Sequence, residues 1–198
     1  MIHDVIIPAR NETAGTLIPI IMAFRQCATV KRIILSDDGL DAGTVTAVYG
    51  LAAYHTLAPR EGKGQAVKHG LQFVTAPRVV FCDGDLTGFR FRHARALTRH
   101  ASGMTLGVTE RSPGHPPWPV PDDVWPLVTG ERSVPSELVR DLDLHGYCME
   151  VQVNAAIMRA GVPVRMIPLR DVKGKSRWTD QREKERREGA EWLRLNGC

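Results

Sequence analysis

Short apolar runs that stop at polar or acidic clusters recur through the first half of the chain. Asp4 to Pro8 (DVIIP) predicts a strand that ends at Arg10-Asn11-Glu12. Thr13 is placed to cap a helix from Ala14 to about Ala28, because Leu17, Ile20, Ile21 and Phe24 then share one face. Pro19 falls in its early part and argues for a later start. A second strand, Arg32 to Ser36, runs into Asp37-Asp38-Gly39. A helix from about Gly43 to Tyr54 and a short strand from His55 to Ala58 follow. Gly62-Lys63-Gly64 opens another helix, with Val67, Leu71 and Val74 on one stripe, and Arg78 to Cys82 is a strand ending in Asp83-Gly84-Asp85. This alternation predicts an α/β domain with a largely parallel sheet.

The second half is less regular. Met104 to Val108 reads as a strand, and the proline-rich stretch from Gly114 to Pro126 reads as a loop. Helices are expected over Val134 to Asp141 and Cys148 to Ala160, a strand over Val162 to Leu169, and a charged helix from about Asp180 to Leu195. In that last segment Glu183, Arg187 and Glu191 stand four residues apart. Neither repeats nor Ser/Gly-rich linkers occur, so one domain is expected over 1–198.

Composition narrows the class. The 43% apolar and 24% charged fractions are those of an ordinary globular chain. No apolar run approaches the length of a membrane span, and the start lacks a basic leader, so a cytoplasmic protein without a signal peptide is expected. Cys27, Cys82, Cys148 and Cys198 lie far apart, which disfavours both a disulfide scaffold and a cysteine zinc site. Charge is uneven. Lys173 to Cys198 holds eight basic and five acidic residues, so +3 of the net +4 lies in that tail. Such a tail suits phosphate, nucleic acid, an anionic surface, or a solvated helix face.

The chemistry lies where the apolar strands end. Ligands of open α/β sheets bind outside the carboxyl ends of the strands, and Pro8–Glu12, Asp37-Asp38 and Asp83–Asp85 would converge on that edge. Two carboxylates one residue apart repel unless a cation lies near, and hard oxygen ligands suit Mg²⁺ or Mn²⁺ completed by substrate phosphates. An Asx turn without metal is the simpler alternative. Gly62-Lys63-Gly64 is not a P-loop, because no Ser or Thr follows the lysine and the earlier glycine of the motif is missing. It leaves a lysine near a helix N-terminus, where an anion can bind.

Taken together, Val5–Glu12, Ser36–Gly39 with Asp41 and Thr44, Gly62–Gly64 and Val80–Leu86 resemble the nucleotide-sugar half of family 2 glycosyltransferases with the GT-A fold. The match spans about 4–90. Gly130-Glu131-Arg132 and Gly146-Tyr147-Cys148-Met149-Glu150 resemble the family's acceptor half. The nearest branches are the polyprenyl-phosphate glycosyltransferases and the glucosyl-3-phosphoglycerate synthases, the latter also through Thr109-Glu110-Arg111. The resemblance implies a GT-A, Rossmann-like mostly parallel sheet flanked by helices. Residues 1–90 would bind the nucleotide sugar, 91–172 would form a small acceptor region, and 173–198 a basic tail and helix.

It also implies roles. Pro8, Ala9, Arg10 and Glu12 would line the nucleoside pocket, with Asp37 beside them and Asp38 accepting from the base. Lys63 would lie near base or diphosphate. Asp83 would face ribose or sugar, with Gly84 beside it, and Asp85 would hold Mn²⁺ or Mg²⁺ together with Asp83. Glu150 would take the acceptor's proton, with Glu110 and Asp143 as rivals. Many relatives place a histidine ligand after the last strand, but none occurs here beyond His145. Asp171, or the cations Lys173, Lys175 and Arg177 acting on phosphate, would stand in for it.

The expected reaction is metal-dependent transfer of a sugar from a UDP- or GDP-linked donor. The acceptor stays open between a phosphorylated small molecule, a lipid phosphate and a modified DNA base. Two other readings compete. A nucleotidyltransferase would carry a glycine-rich loop after the first strand, where this chain has only Gly15. A nucleic-acid module would rest on the modest tail charge and on Trp178 and Trp192.

Overall fold

The computed structural model describes residues 1–58, 61–110, 129–146 and 149–174. In chain order these form β1 (His3–Ala9), α1 (Ala14–Arg25), β2 (Val30–Asp37), α2 (Ala42–Val48), β3 (Tyr54–Leu57), α3 (Lys63–Leu71), β4 (Arg78–Phe81), α4 (Phe91–Thr98), β5 (Met104–Glu110), β6 (Arg132–Pro135), α5 (Met149–Arg159) and β7 (Val164–Lys173). One seven-stranded sheet runs β3-β2-β1-β4-β6-β5-β7. β1, β2, β3 and β4 are mutually parallel where they pair, and β7 is parallel to β5. β6 alone is antiparallel, wedged between β4 and β5.

The alternating side chains of β1 explain the layering. Val5 and Ile7 face one core with Leu17, Ile20 and Phe24 of α1 and Leu97 of α4. Ile6 faces the other, with Val67 and Leu71 of α3 and Met149, Val153 and Ile157 of α5. Both faces of the strand are covered, which is why it reads as a continuous apolar run rather than an alternating one. Each such side chain contributes roughly 1.5–3 kcal/mol by leaving water.

Several expectations change. Pro19 lies inside α1 without ending it. α2 is shorter than expected and stops at Val48. The helix expected over Val134 to Asp141 is instead the end of β6, followed by a single 3-10 turn at Ser136–Leu138. The run Ser133-Val134 is too short for periodicity to separate helix from strand, and pairing with β4 decides the matter. α4 has no strong sequence signal: its hydrophobic side is only Ala94 and Leu97, buried with His93 and Thr98. The closing helix expected from Asp180 and the Gly114–Pro126 loop lie outside the described residues.

β7 is fastened at its far end to the segment after β4. Thr87 and Lys173 exchange backbone hydrogen bonds of 2.8 and 3.1 Å. Gly88, at φ +76°, lets the Asp171 carbonyl pass, because a Cβ there would stand 2.0 Å from that oxygen.

At the opposite edge of the sheet, His3 is fully buried. Burial, with the nearby Arg78 guanidinium, lowers its pKa to about 4. In the unfolded chain the imidazole takes its proton near pH 6.5. The unfolded state therefore binds the proton first as pH falls, and folding stability is lost between about pH 6.5 and 4, by roughly 3 kcal/mol in full. Thermal melting from pH 7.5 to 4.5 is expected to show a steep acid limb that flattens in His3→Gln. Parallel acid limbs in the two proteins would refute this.

Candidate functional site

The register of β1 and β2 sets Pro8 beside Ser36 and Ala9 beside Asp37, so the first two polar clusters leave the sheet side by side. The Asp38 N–H donates to the Ala9 carbonyl at 2.8 Å, and the Asn11 N–H to the Gly39 carbonyl at 3.3 Å. Asn11 takes the left-handed conformation, φ 60°, to make that turn. The Arg10 N–H donates to the Glu12 carboxylate, and the Arg10 guanidinium stands 4.0 Å from that of Asp38.

The third cluster closes on the first. A Cβ on Gly84 would lie 3.2 Å from the Pro8 carbonyl oxygen and 3.4 Å from Glu12 Cγ, so the Asp83–Asp85 turn packs directly against the end of β1. The parallel order β2-β1-β4 thus gathers Pro8, Ala9, Arg10, Glu12, Asp38, Asp83 and Gly84 on one edge, as the sequence implied.

Asp37 and Asp38 divide their work. Asp37 accepts from the N–H groups of Gly39 and Leu40 at 2.8 and 2.7 Å, and its other oxygen meets His55 Nε2 at 3.1 Å. It shapes the turn that carries Asp38 outward from the strand.

Lys63 is the central charge. Its Nζ lies 2.6 Å from Asp83 Oδ1 and 2.5 Å from Glu150 Oε1, joining the first turn of α3 to the first turn of α5. The adjacent Gly64 N–H donates to the Gly146 carbonyl at 3.0 Å, which fastens α3 to the loop before α5. Burial depresses the pKa of the ammonium, and the two carboxylates more than reverse that, so it stays charged.

Three residues absent from the expected site complete it. Gly130 allows Asp83 its position, since a Cβ there would stand 2.3 Å from the carboxylate. Arg132, fully buried, donates to the Glu150 carbonyl at 3.0 Å and to Asn154 Oδ1 at 2.8 Å, and so holds the start of α5. Glu131 is buried, and its pKa rises to about 8, through burial first and then the negative charge of Asp83. Burial likewise pushes the neighbouring Cys82 thiol well up. The Gly-Glu-Arg triplet was visible in sequence, but nothing in its spacing marks the carboxyl as buried.

The remaining candidates sit elsewhere. Glu110, at the end of β5, accepts from the Asp171 N–H at 2.9 Å, and Asp171 pairs with Arg92 at 2.7 Å. Asp143 pairs with Lys68 on the surface. Lys173 is fixed through its backbone to Thr87, while Lys175 and Arg177 lie outside the described residues.

Among the described residues, no three His, Cys, Asp or Glu side chains group closely enough to hold a metal ion. Two carboxylates at one strand end suit an ion that takes its other ligands from a diphosphate and water.

A mostly parallel seven-stranded sheet with flanking helices, its acidic clusters and Lys63 at one carboxyl edge, is the GT-A fold. The chain belongs to glycosyl transferase family 2, whose model matches residues 4–102, and it is a glycosyltransferase. No curated protein sequence matches it significantly. Among solved structures, glucosyl-3-phosphoglycerate synthase from Mycobacterium tuberculosis, crystallised with Mn²⁺ and UDP-glucose, superposes with a TM-score of 0.81 at 20% identity, covering 100% of this chain and 79% of that one. The same enzyme with Mg²⁺ and UDP gives 0.79 at 18% identity, covering 96% and 76%. Mannosyl-3-phosphoglycerate synthase from Rubrobacter xylanophilus gives 0.76 at 17% identity, covering 99% and 75%. Among the described residues no helix is long and apolar enough to cross a membrane.

The bridge through Lys63 makes a measurable demand. In a double-mutant cycle of Lys63→Met and Glu150→Gln, urea denaturation is expected to show a coupling of about 1 kcal/mol or more, the scale for charges in contact. Losses that add within ~0.5 kcal/mol would mean that the contact carries no energy.

Proposed function

We propose that this glycosyltransferase moves a sugar from a UDP- or GDP-linked donor to a phosphorylated small-molecule acceptor, with Mn²⁺ or Mg²⁺ as cofactor. The observation that carries the reading is the convergence of Asp38, Glu12 and Asp83–Asp85 on one sheet edge, with Lys63 linking that edge to Glu150. The metal-bound nucleotide complexes of the M. tuberculosis neighbour support the cofactor. The glycerate phosphate products and ligands named for the two neighbours support the acceptor class.

In this reading residues 1–90 hold the donor, 91–172 the acceptor, and 173–198 form a basic tail. Pro8, Ala9, Arg10 and Glu12 line the nucleoside pocket, and Asp38 accepts from the base. Asp83 and Asp85 would hold the ion, which when bound would supply positive charge to offset that of the departing nucleoside diphosphate. Lys63 offers its ammonium to the same developing charge as the diphosphate leaves. Glu150 takes the proton of the attacking hydroxyl, held in place by Arg132 on its own carbonyl. Lys173, with Lys175 and Arg177, serves phosphate.

Two measurements test this. A panel of UDP- and GDP-sugars with Mn²⁺ should contain at least one that the protein hydrolyses or transfers to 3-phosphoglycerate, and none that it does so with after chelation. Asp85→Ala should abolish Mn²⁺-dependent UDP or GDP binding while the melting temperature holds. Unchanged Mn²⁺ dependence in the variant would remove Asp85 from the ion. Separately, Asp38→Ala should weaken UDP or GDP binding by about 1–3 kcal/mol, the scale of a hydrogen bond to a charged group. It should leave inorganic pyrophosphate binding unaltered, and an equal loss for pyrophosphate would count against a base contact.

A further inference from the structure

Glu131 holds an oxygen that the protein leaves unmatched. The residue is 2% exposed, and among the described residues Oε1 has no hydrogen-bond partner. A buried polar atom of this kind costs free energy unless something supplies its partner. The carboxylates around it are already engaged: Lys63 binds both Asp83 and Glu150.

The place of Glu131 in the sheet says what that partner is. Phe81 pairs with Arg132 across β4 and β6, which sets Glu131 alongside Cys82, one residue before Asp83. Along the carboxyl edge the order is then Asp38 after β2, Pro8–Glu12 after β1, Asp83–Asp85 after β4, and Glu131 at the start of β6. From β2 to β6 is three strand spacings, roughly 14 Å. A sugar nucleotide laid along this edge with its base at Asp38 and its diphosphate at Asp83–Asp85 brings its sugar to β6. A phosphate oxygen can only accept, so it would match Oε1 only where that oxygen carries the proton, and it would add negative charge beside Asp83. A sugar hydroxyl, which both donates and accepts, fits.

We propose that Glu131 binds a hydroxyl of the transferred sugar through Oε1 and so helps to set which sugar the enzyme accepts. This rests on the donor reading above. Substitution should therefore act on the sugar and not on the nucleotide. The full-length chain, Glu131→Gln and Glu131→Ala are titrated by calorimetry with UDP, GDP, UDP-glucose and GDP-mannose, each with Mn²⁺. Glu131→Ala is expected to weaken the sugar nucleotide that the wild type binds by about tenfold or more, the range of one hydrogen bond to a buried polar group, and to leave the matching diphosphate within about twofold. Glu131→Gln, of the same shape and able to donate and accept, should retain most of the affinity and guards against a folding defect in the alanine variant. Equal losses for sugar nucleotide and diphosphate would assign Glu131 to the ion or the fold and overturn the proposal. So would unchanged binding of both, or a wild type that binds UDP or GDP but neither sugar nucleotide. A wild type that binds neither UDP nor GDP would instead bring down the donor reading itself.

Discussion

The ammonium of Lys63 between Asp83 and Glu150 is the contact on which the site depends. It is the point where the turn after β4 meets the first turn of α5. Without a cation there, Asp83 and Glu150 would face each other in a poorly hydrated space, where like charges repel strongly. The surrounding structure is built to hold that cation. The Gly64 N–H on the Gly146 carbonyl sets α3, the Arg132 guanidinium on the Glu150 carbonyl sets α5, and the absent side chain of Gly130 leaves room for Asp83.

This arrangement concentrates charge in a small volume. Arg132 is fully buried, and the acids that offset its charge are those of the site itself, Glu150, Glu131 and Asp83. Such groups contribute little net stability after desolvation, so their value lies in fixing geometry. The apolar layers on either side of the sheet supply the stability, with β1 buried on both faces as the spine.

The edge where the polar clusters gather was largely legible in the sequence because it is local. Each cluster follows its own apolar strand within a few residues, and a parallel sheet sends all such ends the same way. Hence the sequence alone brings Pro8–Glu12, Asp38 and Asp83–Asp85 to one edge. The same local logic could not tell Asp37 from Asp38. Only the turn shows that Asp37 turns back onto Gly39, Leu40 and His55 while Asp38 meets Arg10. The pairing of Asp171 with Arg92 was hidden for a similar reason: Arg92 lies on α4, a helix the apolar pattern hardly marks.

By itself, then, the sequence determined the strand-end polar clusters and the α/β class, since these follow from apolar runs and the residues that end them. Tertiary structure decided the rest. The antiparallel β6 joins residues 132–135 to β4, and that long-range pairing, which no local period encodes, is what carries Glu131 and Arg132 into the site. Lys63 and Glu150 stand 87 positions apart in the chain, and their contact is a product of how α3 and α5 pack on the same face of the sheet.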